Sequence, residues 1–205
     1  MRILGIDPGL RITGYGCLAA AEGGETLVEA GAIRLGKRSA DGAVEGGLAG
    51  GSAASVSERL VELDRDFRGL LDRLRPEAVA IESVFAHYKH PATAIVMGHA
   101  RGVLLLAVRQ AGLGLFELRP NEIKKSMTGF GHASKEQMQE AVRMRFGLAE
   151  APSPPDVADA IAIASCGLDR FRLGAAGVTP SRGGGGAARS VARLPEHVRI
   201  QIGNA

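Results

Sequence analysis

The sequence predicts an α/β fold with a mixed sheet, and three observations carry that prediction. Three strand-like runs follow one another within the first 35 residues, joined by short Gly-containing turns, which is the pattern of an antiparallel meander. From residue 56 onward, stretches of helical period alternate with short apolar strands, the order of helices packed on a sheet with parallel members. At two points an otherwise apolar strand ends on a carboxylate, Asp7 and Glu82.

Arg2–Asp7 is the first strand. Ile3, Leu4 and Ile6 favour extended backbone, Pro8 fixes φ and lacks an amide hydrogen, and Gly9 permits a tight turn into the second strand, Ile12–Ala20. Glu25–Leu35 is the third. Residues 36–55 are rich in Gly and Ala, with Val44 and Leu48 as their only larger apolar side chains, and read as a flexible loop. From Val56 the apolar positions Leu60, Leu63, Phe67, Leu70, Leu71 and Leu74 mark an amphipathic helix ending before Pro76. Glu77–Glu82 is a strand, and Ala92–Gln110 a helix. The stretch Gly102–Val108 of that helix is apolar nearly all round, which implies cover on more than one side, by a core layer or by a partner. Leu113–Leu118 is a further strand, Pro120 opens a short helix through Met127, and Gly129-Phe130-Gly131 is a loop. Ser134-Lys135-Glu136-Gln137 has the form of a capping box for a helix to Phe146. Ser153-Pro154-Pro155-Asp156 starts the last helix, which runs towards Phe171. This gives one domain over residues 1–172 and a tail, 173–205, whose Gly183–Gly186 run and scattered arginines hold too little apolar content to pack alone and read as disordered.

A length of 205 residues and 45% hydrophobic content suit one well-cored domain of roughly 150–170 residues with appendages. The most apolar run is far shorter than the roughly 20 residues a bilayer span needs, and the chain opens on a strand, so a cytoplasmic protein with no membrane partner is expected. Cys17 and Cys166 are far apart and lack metal-type spacing, which points to reduced core thiols. The net charge of +3 is unevenly placed: from Arg170 onward six arginines face one acid, a balance of +5, which leaves −2 on residues 1–169. Nucleic-acid binding must therefore be argued from local clusters.

The acids are the informative residues. Asp7 and Glu82 end apolar strands, and Asp156 and Asp159 stand three apart on one face of the last helix. If the two strands lie side by side with that helix across them, four carboxylates converge, and such a cluster requires a cation. Hard oxygen donors without a His/Cys set favour Mg²⁺ or Mn²⁺, and two such ions suit phosphodiester hydrolysis. Each acid alone has a simpler reading: Asp7 as a turn opener, Glu82 as a strand end reaching solvent, Asp156 as a charge on the helix dipole, Asp159 as a surface position. His87, His90 and His99 lack the ligand spacing of a metal site and read as loop and helix residues near nucleic acid.

Ile6-Asp7-Pro8-Gly9 with Thr13-Gly14-Tyr15-Gly16, Ile81-Glu82-Ser83-Val84-Phe85, Gly98-His99-Ala100-Arg101-Gly102 and Asp156-Val157-Ala158-Asp159-Ala160-Ile161-Ala162 occur in an order and spacing that resembles the RuvC family of bacterial Holliday-junction resolvases. The resemblance spans roughly residues 1–168. It implies a ribonuclease H-like fold with a mixed five-stranded sheet flanked by helices, and a homodimeric endonuclease. Such an enzyme, using two Mg²⁺ ions or Mn²⁺ in their place, makes paired symmetric nicks in a four-way DNA junction, leaving ligatable 5′-phosphate ends. Asp7, Glu82, Asp156 and Asp159 match the family's catalytic metal ligands, with Asp7 bridging. Phe85 matches an aromatic that contacts an unstacked base, the alternative being a core Phe. Lys124 and Lys135 match lysines that act on the DNA backbone, the alternative being solvated surface charge; Arg119 and Lys125 are their basic neighbours. The family also implies RuvA and RuvB as branch-migration partners. The loop within 36–55 and the tail depart from the family pattern, and the tail arginines are expected to add nonspecific DNA affinity.

Three other readings compete. A sugar-kinase or Hsp70-type ATP-binding protein shares the Asp7-Pro8-Gly9 turn but needs a second related half, for which this chain has neither length nor motif. A non-catalytic DNA-binding module would retain four acids that only repel DNA. A ribonuclease H-like enzyme acting on RNA keeps the metal chemistry but leaves the Phe85 and Gly98–Gly102 matches unexplained.

Overall fold

A computed structural model of the chain describes residues 1–36, 54–83, 91–175 and 199–201. Most of the 36–55 loop, Phe85, His87, His90 and most of the tail lie outside the described residues. The elements run β1 (Arg2–Asp7), β2 (Ile12–Ala21), β3 (Gly24–Arg34), α1 (Val56–Leu74), β4 (Ala78–Glu82), α2 (Pro91–Gln110), β5 (Gly114–Leu118), α3 (Pro120–Thr128), α4 (Lys135–Phe146), α5 (Pro155–Ala175) and β6 (Arg199–Gln201). The sheet order is β5-β4-β1-β2-β3-β6. The meander β1-β2-β3 is antiparallel, whereas β4 joins β1 and β5 joins β4 in parallel, so the mixed character read from the sequence is present.

Strand periodicity divides the core into two layers. In β1, Leu4 and Ile6 pack into the layer that holds Leu63, Phe67 and Leu71 of α1 with Leu104 and Val108 of α2. Ile3 faces the other way, into the layer of Val157, Ile161 and Leu168 from α5 with Met138 and Val142 from α4. β4 repeats the division, Val79 and Ile81 towards α1 and α2, Ala78 and Ala80 towards α5. Phe67, Leu63 and Leu104 are 0–1% exposed, and each such side chain contributes about 1.5–3 kcal/mol through burial.

Local signals fix the helix starts. Ser55 accepts from the Glu58 amide while the Glu58 carboxylate accepts from the Ser55 amide, a capping box at α1. Ser134 and Gln137 do the same at α4, as the sequence predicts. Cys17 and Cys166 are both buried free thiols, one in each layer.

The tail differs from its expectation in two respects. α5 runs past Phe171 to Ala175, and Arg199–Gln201 pairs in parallel with Glu29–Gly31 of β3, adding a sixth strand to the expected five. The reason lies in β3: as the meander's outer strand it offers unpaired amides and carbonyls, and backbone pairing needs little apolar content from the strand that joins it. Among the described residues, no helix is long and apolar enough to cross a membrane.

Candidate active site

Asp7 and Glu82 meet because of register. β1 and β4 pair in parallel from Ile3 with Ala78 to Ile6 with Ile81, so the next residue of each strand is a carboxylate at the same sheet end. Alternation then sets their face. Asp7 follows Ile3 and Gly5 at even spacing, and Glu82 follows Ala78 and Ala80, so both project to the side covered by α5. The turn beyond Asp7 is locked by Thr13, fully buried, whose hydroxyl donates to the Gly9 carbonyl at 2.6 Å and accepts from the Gly9 amide at 3.3 Å.

The helix reaches these strands because the sheet beneath it carries glycines. A Cβ placed on Gly14 would lie 2.0 Å from the Asp156 carbonyl oxygen, and one on Gly5 would lie 2.2 Å from that of Ala160. No larger residue fits at either position, since carbonyl oxygens of a helix cannot yield. The close contact sets Asp156 above Gly14, the register partner of Asp7, and brings Asp159 one turn further along the same helix face.

All four carboxylates are half-buried, and three of them respond to one another. Burial raises the Asp7 carboxyl well above its ordinary value, Asp159, Glu82 and Asp156 raise it further, and Lys135 opposes them. Burial and Asp159 raise Glu82 against Lys124. Burial raises Asp159, with Asp156 adding to the effect and Lys135 and Lys124 opposing it. These acids thus form one electrostatic unit with the two lysines as its countercharges. Glu82, Asp159, Lys124 and Lys135 line an open cleft of about 220 Å³ whose apolar wall includes Ile123 and Met138.

Lys124 is half-buried on α3 and Lys135 exposed at the first position of α4, with Arg119 and Lys125 exposed nearby in sequence. Arg101 of the Gly98–Gly102 motif braces the strand end. Its Nε donates to the Glu82 carbonyl at 3.3 Å and its guanidinium pairs with Glu117 of β5. His99 is exposed on α2.

As the side chains lie, no three His, Cys, Asp or Glu groups among the described residues converge to hold a metal ion. The donor set nevertheless fits a hard divalent cation: it offers only carboxylates, three of them are raised by burial and by mutual repulsion, and the lysines balance them only in part.

Sequence reasoning did not single out Arg11 and Arg59. A second, wider cleft of about 500 Å³ places both beside Asp156. The two arginines are 48 positions apart in sequence on a turn and a helix, and only tertiary packing joins them.

The family model for crossover junction endodeoxyribonuclease RuvC matches residues 3–167. A crossover junction endodeoxyribonuclease RuvC of Chloroflexus aggregans is 40% identical over 166 residues, which cover 81% of this chain and 92% of that protein. The structure of Thermus thermophilus RuvC in complex with a Holliday junction substrate matches with a TM-score of 0.70 and 32% identity, over 85% of this chain and 96% of that one. The yeast mitochondrial Holliday junction resolvase Ydc2 shares the fold at 15% identity and a TM-score of 0.55, over 85% of this chain and 83% of that one. A mixed sheet flanked by helices, carboxylates closing two neighbouring parallel strands, and a profile match over almost the whole globular part agree: the fold is ribonuclease H-like, and the chain belongs to the RuvC family of crossover junction endodeoxyribonucleases.

Proposed function

We propose that this protein resolves four-way DNA junctions as a homodimer, hydrolysing one phosphodiester bond per subunit at the Asp7, Glu82, Asp156 and Asp159 centre. The observation that carries this reading is the parallel register that puts Asp7 and Glu82 side by side beneath the helix bearing Asp156 and Asp159. The carboxylates would hold two Mg²⁺ ions, with Mn²⁺ as a substitute, which supply activation of water and charge neutralisation on the leaving oxygen. Asp7, whose carboxyl feels the charge of all three other acids, would be a ligand to these ions together with Glu82, Asp156 and Asp159.

The chain's own residues do the rest. Lys124 and Lys135 hold backbone phosphates against the carboxylate cluster and fix the strand in the cleft. Phe85 stacks on a base unpaired at the junction centre, a contact worth about 1–3 kcal/mol. Arg101 keeps the Glu82 strand end in place through its bond to the backbone.

The dimer uses the outer face of α2. Gly98 and Gly102 are exposed there between Ile95 at 60% and Leu106 at 57% exposure, an apolar strip with a shallow centre that suits a second copy of the same helix. A two-fold dimer matches the approximate two-fold symmetry of a junction, so that symmetric nicks with 5′-phosphates result. RuvA and RuvB are the partners that belong with this activity.

Cleavage of a labelled mobile four-way junction, compared with linear duplex and RNA–DNA hybrid in Mg²⁺ or EDTA, tests the reading for wild type and Asp7→Asn. Paired symmetric nicks in the junction alone, lost with EDTA and with Asp7→Asn while junction binding persists, are expected. A junction that is bound but never cut would remove the catalytic assignment, and preferred cutting of the hybrid would remove the substrate.

A further inference from the structure

The second cleft is lined by Asp156, three residues before Asp159, which lines the cleft of Lys124 and Lys135. It is bounded by the β1–β2 turn (Gly9, Leu10, Arg11, Ile12), by Arg59 from the first turns of α1, and by Thr93, Val96 and Met97 from α2. Arg11 is exposed, and its described hydrogen bond is a backbone one, its carbonyl accepting from the Leu35 amide at 3.0 Å. Arg59 is half-buried and anchored by its Nε, which donates to the Ala54 carbonyl at 2.9 Å. Among the described residues neither arginine forms an ion pair with a carboxylate, although Asp156 borders the same cleft. Two guanidinium groups beside a wall of Leu10, Ile12, Val96 and Met97, with a threonine hydroxyl, present the pair of chemistries that a sugar–phosphate backbone needs: fixed positive charge for phosphate and apolar surface for deoxyribose.

The neighbouring acids of α5 link the two clefts and point to the occupant. Asp159 borders the first cleft and Asp156 the second, one turn apart on α5. A strand whose scissile phosphate sits at the carboxylates, held on one side by Lys124 and Lys135, continues over Asp156 into the second cleft. On that side the countercharges come from Arg11 and Arg59. We propose that this cleft is a phosphate-binding subsite for the cleaved DNA strand, in which Arg11 and Arg59 contact backbone phosphates adjacent to the scissile one. The inference rests on the junction-cleaving function proposed above and assigns these two arginines as positioning residues.

The test is the salt dependence of junction binding in EDTA, followed by fluorescence anisotropy, for wild type, the double variant Arg11→Ala/Arg59→Ala and the double variant Arg11→Lys/Arg59→Lys. Each phosphate contact removed makes the slope of log K against log salt shallower by about 1. The alanine pair is therefore expected to lose about 2 from the slope, while the lysine pair, which keeps the charge, stays near wild type. Placing neutral methylphosphonates one to three nucleotides from the cleavage site should weaken wild type and leave the alanine pair unaffected. If wild type cuts junctions and the alanine pair has an unchanged slope and the same methylphosphonate sensitivity, the subsite is overturned while the function stands. A lysine pair that loses as much slope as the alanine pair overturns the phosphate contact too, since the loss would then follow from a disturbed loop. If wild type itself fails to bind the junction, both fall together.

Discussion

Asp7 is the residue on which burial and the charges of three other acids act together, and it is a source of instability. Its carboxyl, like those of Glu82 and Asp159, is held above the ordinary carboxylate value, so the folded chain keeps protons there that the unfolded chain has already released. The unfolded state binds fewer protons in that window, and the stability contribution of this cluster therefore falls as pH rises from the ordinary carboxylate range through the raised values. Asp7→Asn should raise the melting temperature of the metal-free protein near pH 7, by about 2–4 °C if the gain is about 1 kcal/mol, and flatten the pH dependence. The capping acids Glu58 and Glu136, held below their ordinary values by Ser55 and Ser134, act with the opposite sign, so the informative quantity is the difference between wild type and Asp7→Asn across pH. Thermal scans with added Mg²⁺ supply the second half of this prediction: wild type gains stability and Asp7→Asn gains much less, whereas equal gains would mean that the cation binds elsewhere. Lys135→Ala removes a countercharge that lowers both Asp7 and Asp159. It should weaken junction binding and shift the acid limb of the cleavage profile to higher pH; an unchanged limb would detach Lys135 from the cluster.

At the scale of elements, the site depends on how closely α5 lies on the sheet. Gly14→Ala puts a methyl group against the Asp156 carbonyl and forces the helix away from β2. A loss of about 1–3 kcal/mol, typical of overpacking, is expected together with a fall in cleavage larger than that of Gly24→Ala, a strand glycine with open space around it. Equal effects of the two substitutions would show that the contact is not what sets the site. The elements also show what could be read in advance and what could not. Asp7 and Glu82 were legible because a charged residue at the end of an apolar strand is chemically odd, and the capping box at Ser134 because its spacing is local. The convergence of the four acids was legible only as a condition, that the two strands be neighbours with the last helix across them. Parallel pairing of Ile6 with Ile81 makes the two strands neighbours, and strand order is a property no local pattern encodes. Gly14 read simply as part of a turn-and-strand motif, since the helix it makes room for lies 142 positions later. Arg199-Ile200-Gln201 was invisible because three residues carry no periodicity and their pairing is made by the backbone. Arg11 and Arg59 resemble any solvated arginines until packing joins them.

For the whole molecule, α2 separates the inner layer from the outer face. The apolar run Gly102–Val108 that implied cover on more than one side resolves into Leu104, Ala107 and Val108, buried against α1 and the sheet, and Leu106, exposed on the face that also carries Ile95. The Leu106→Asp exchange touches no buried position and should leave the fold intact while converting a dimer to a monomer at micromolar concentration, as judged by sedimentation. A wild type already monomeric there would place the interface elsewhere or remove it. Asp159 lines one cleft and Asp156 the other, three residues apart on α5, so the proposed path of one nucleic-acid strand runs from one cleft to the other along that helix start.

The glycine contact also has a dynamic consequence. Because helix backbone lies directly on strand backbone at Gly5 and Gly14, the stretch carrying Asp156 and Asp159 is held by backbone contact as well as by the buried side chains of Val157 and Ile161. Amide hydrogens after the first turn of α5 should therefore exchange with solvent only as slowly as global unfolding permits. Asp159 would then sit on a slowly breathing part of the molecule, and the surfaces that adjust to a bent, branched substrate would be the turns and loops around it.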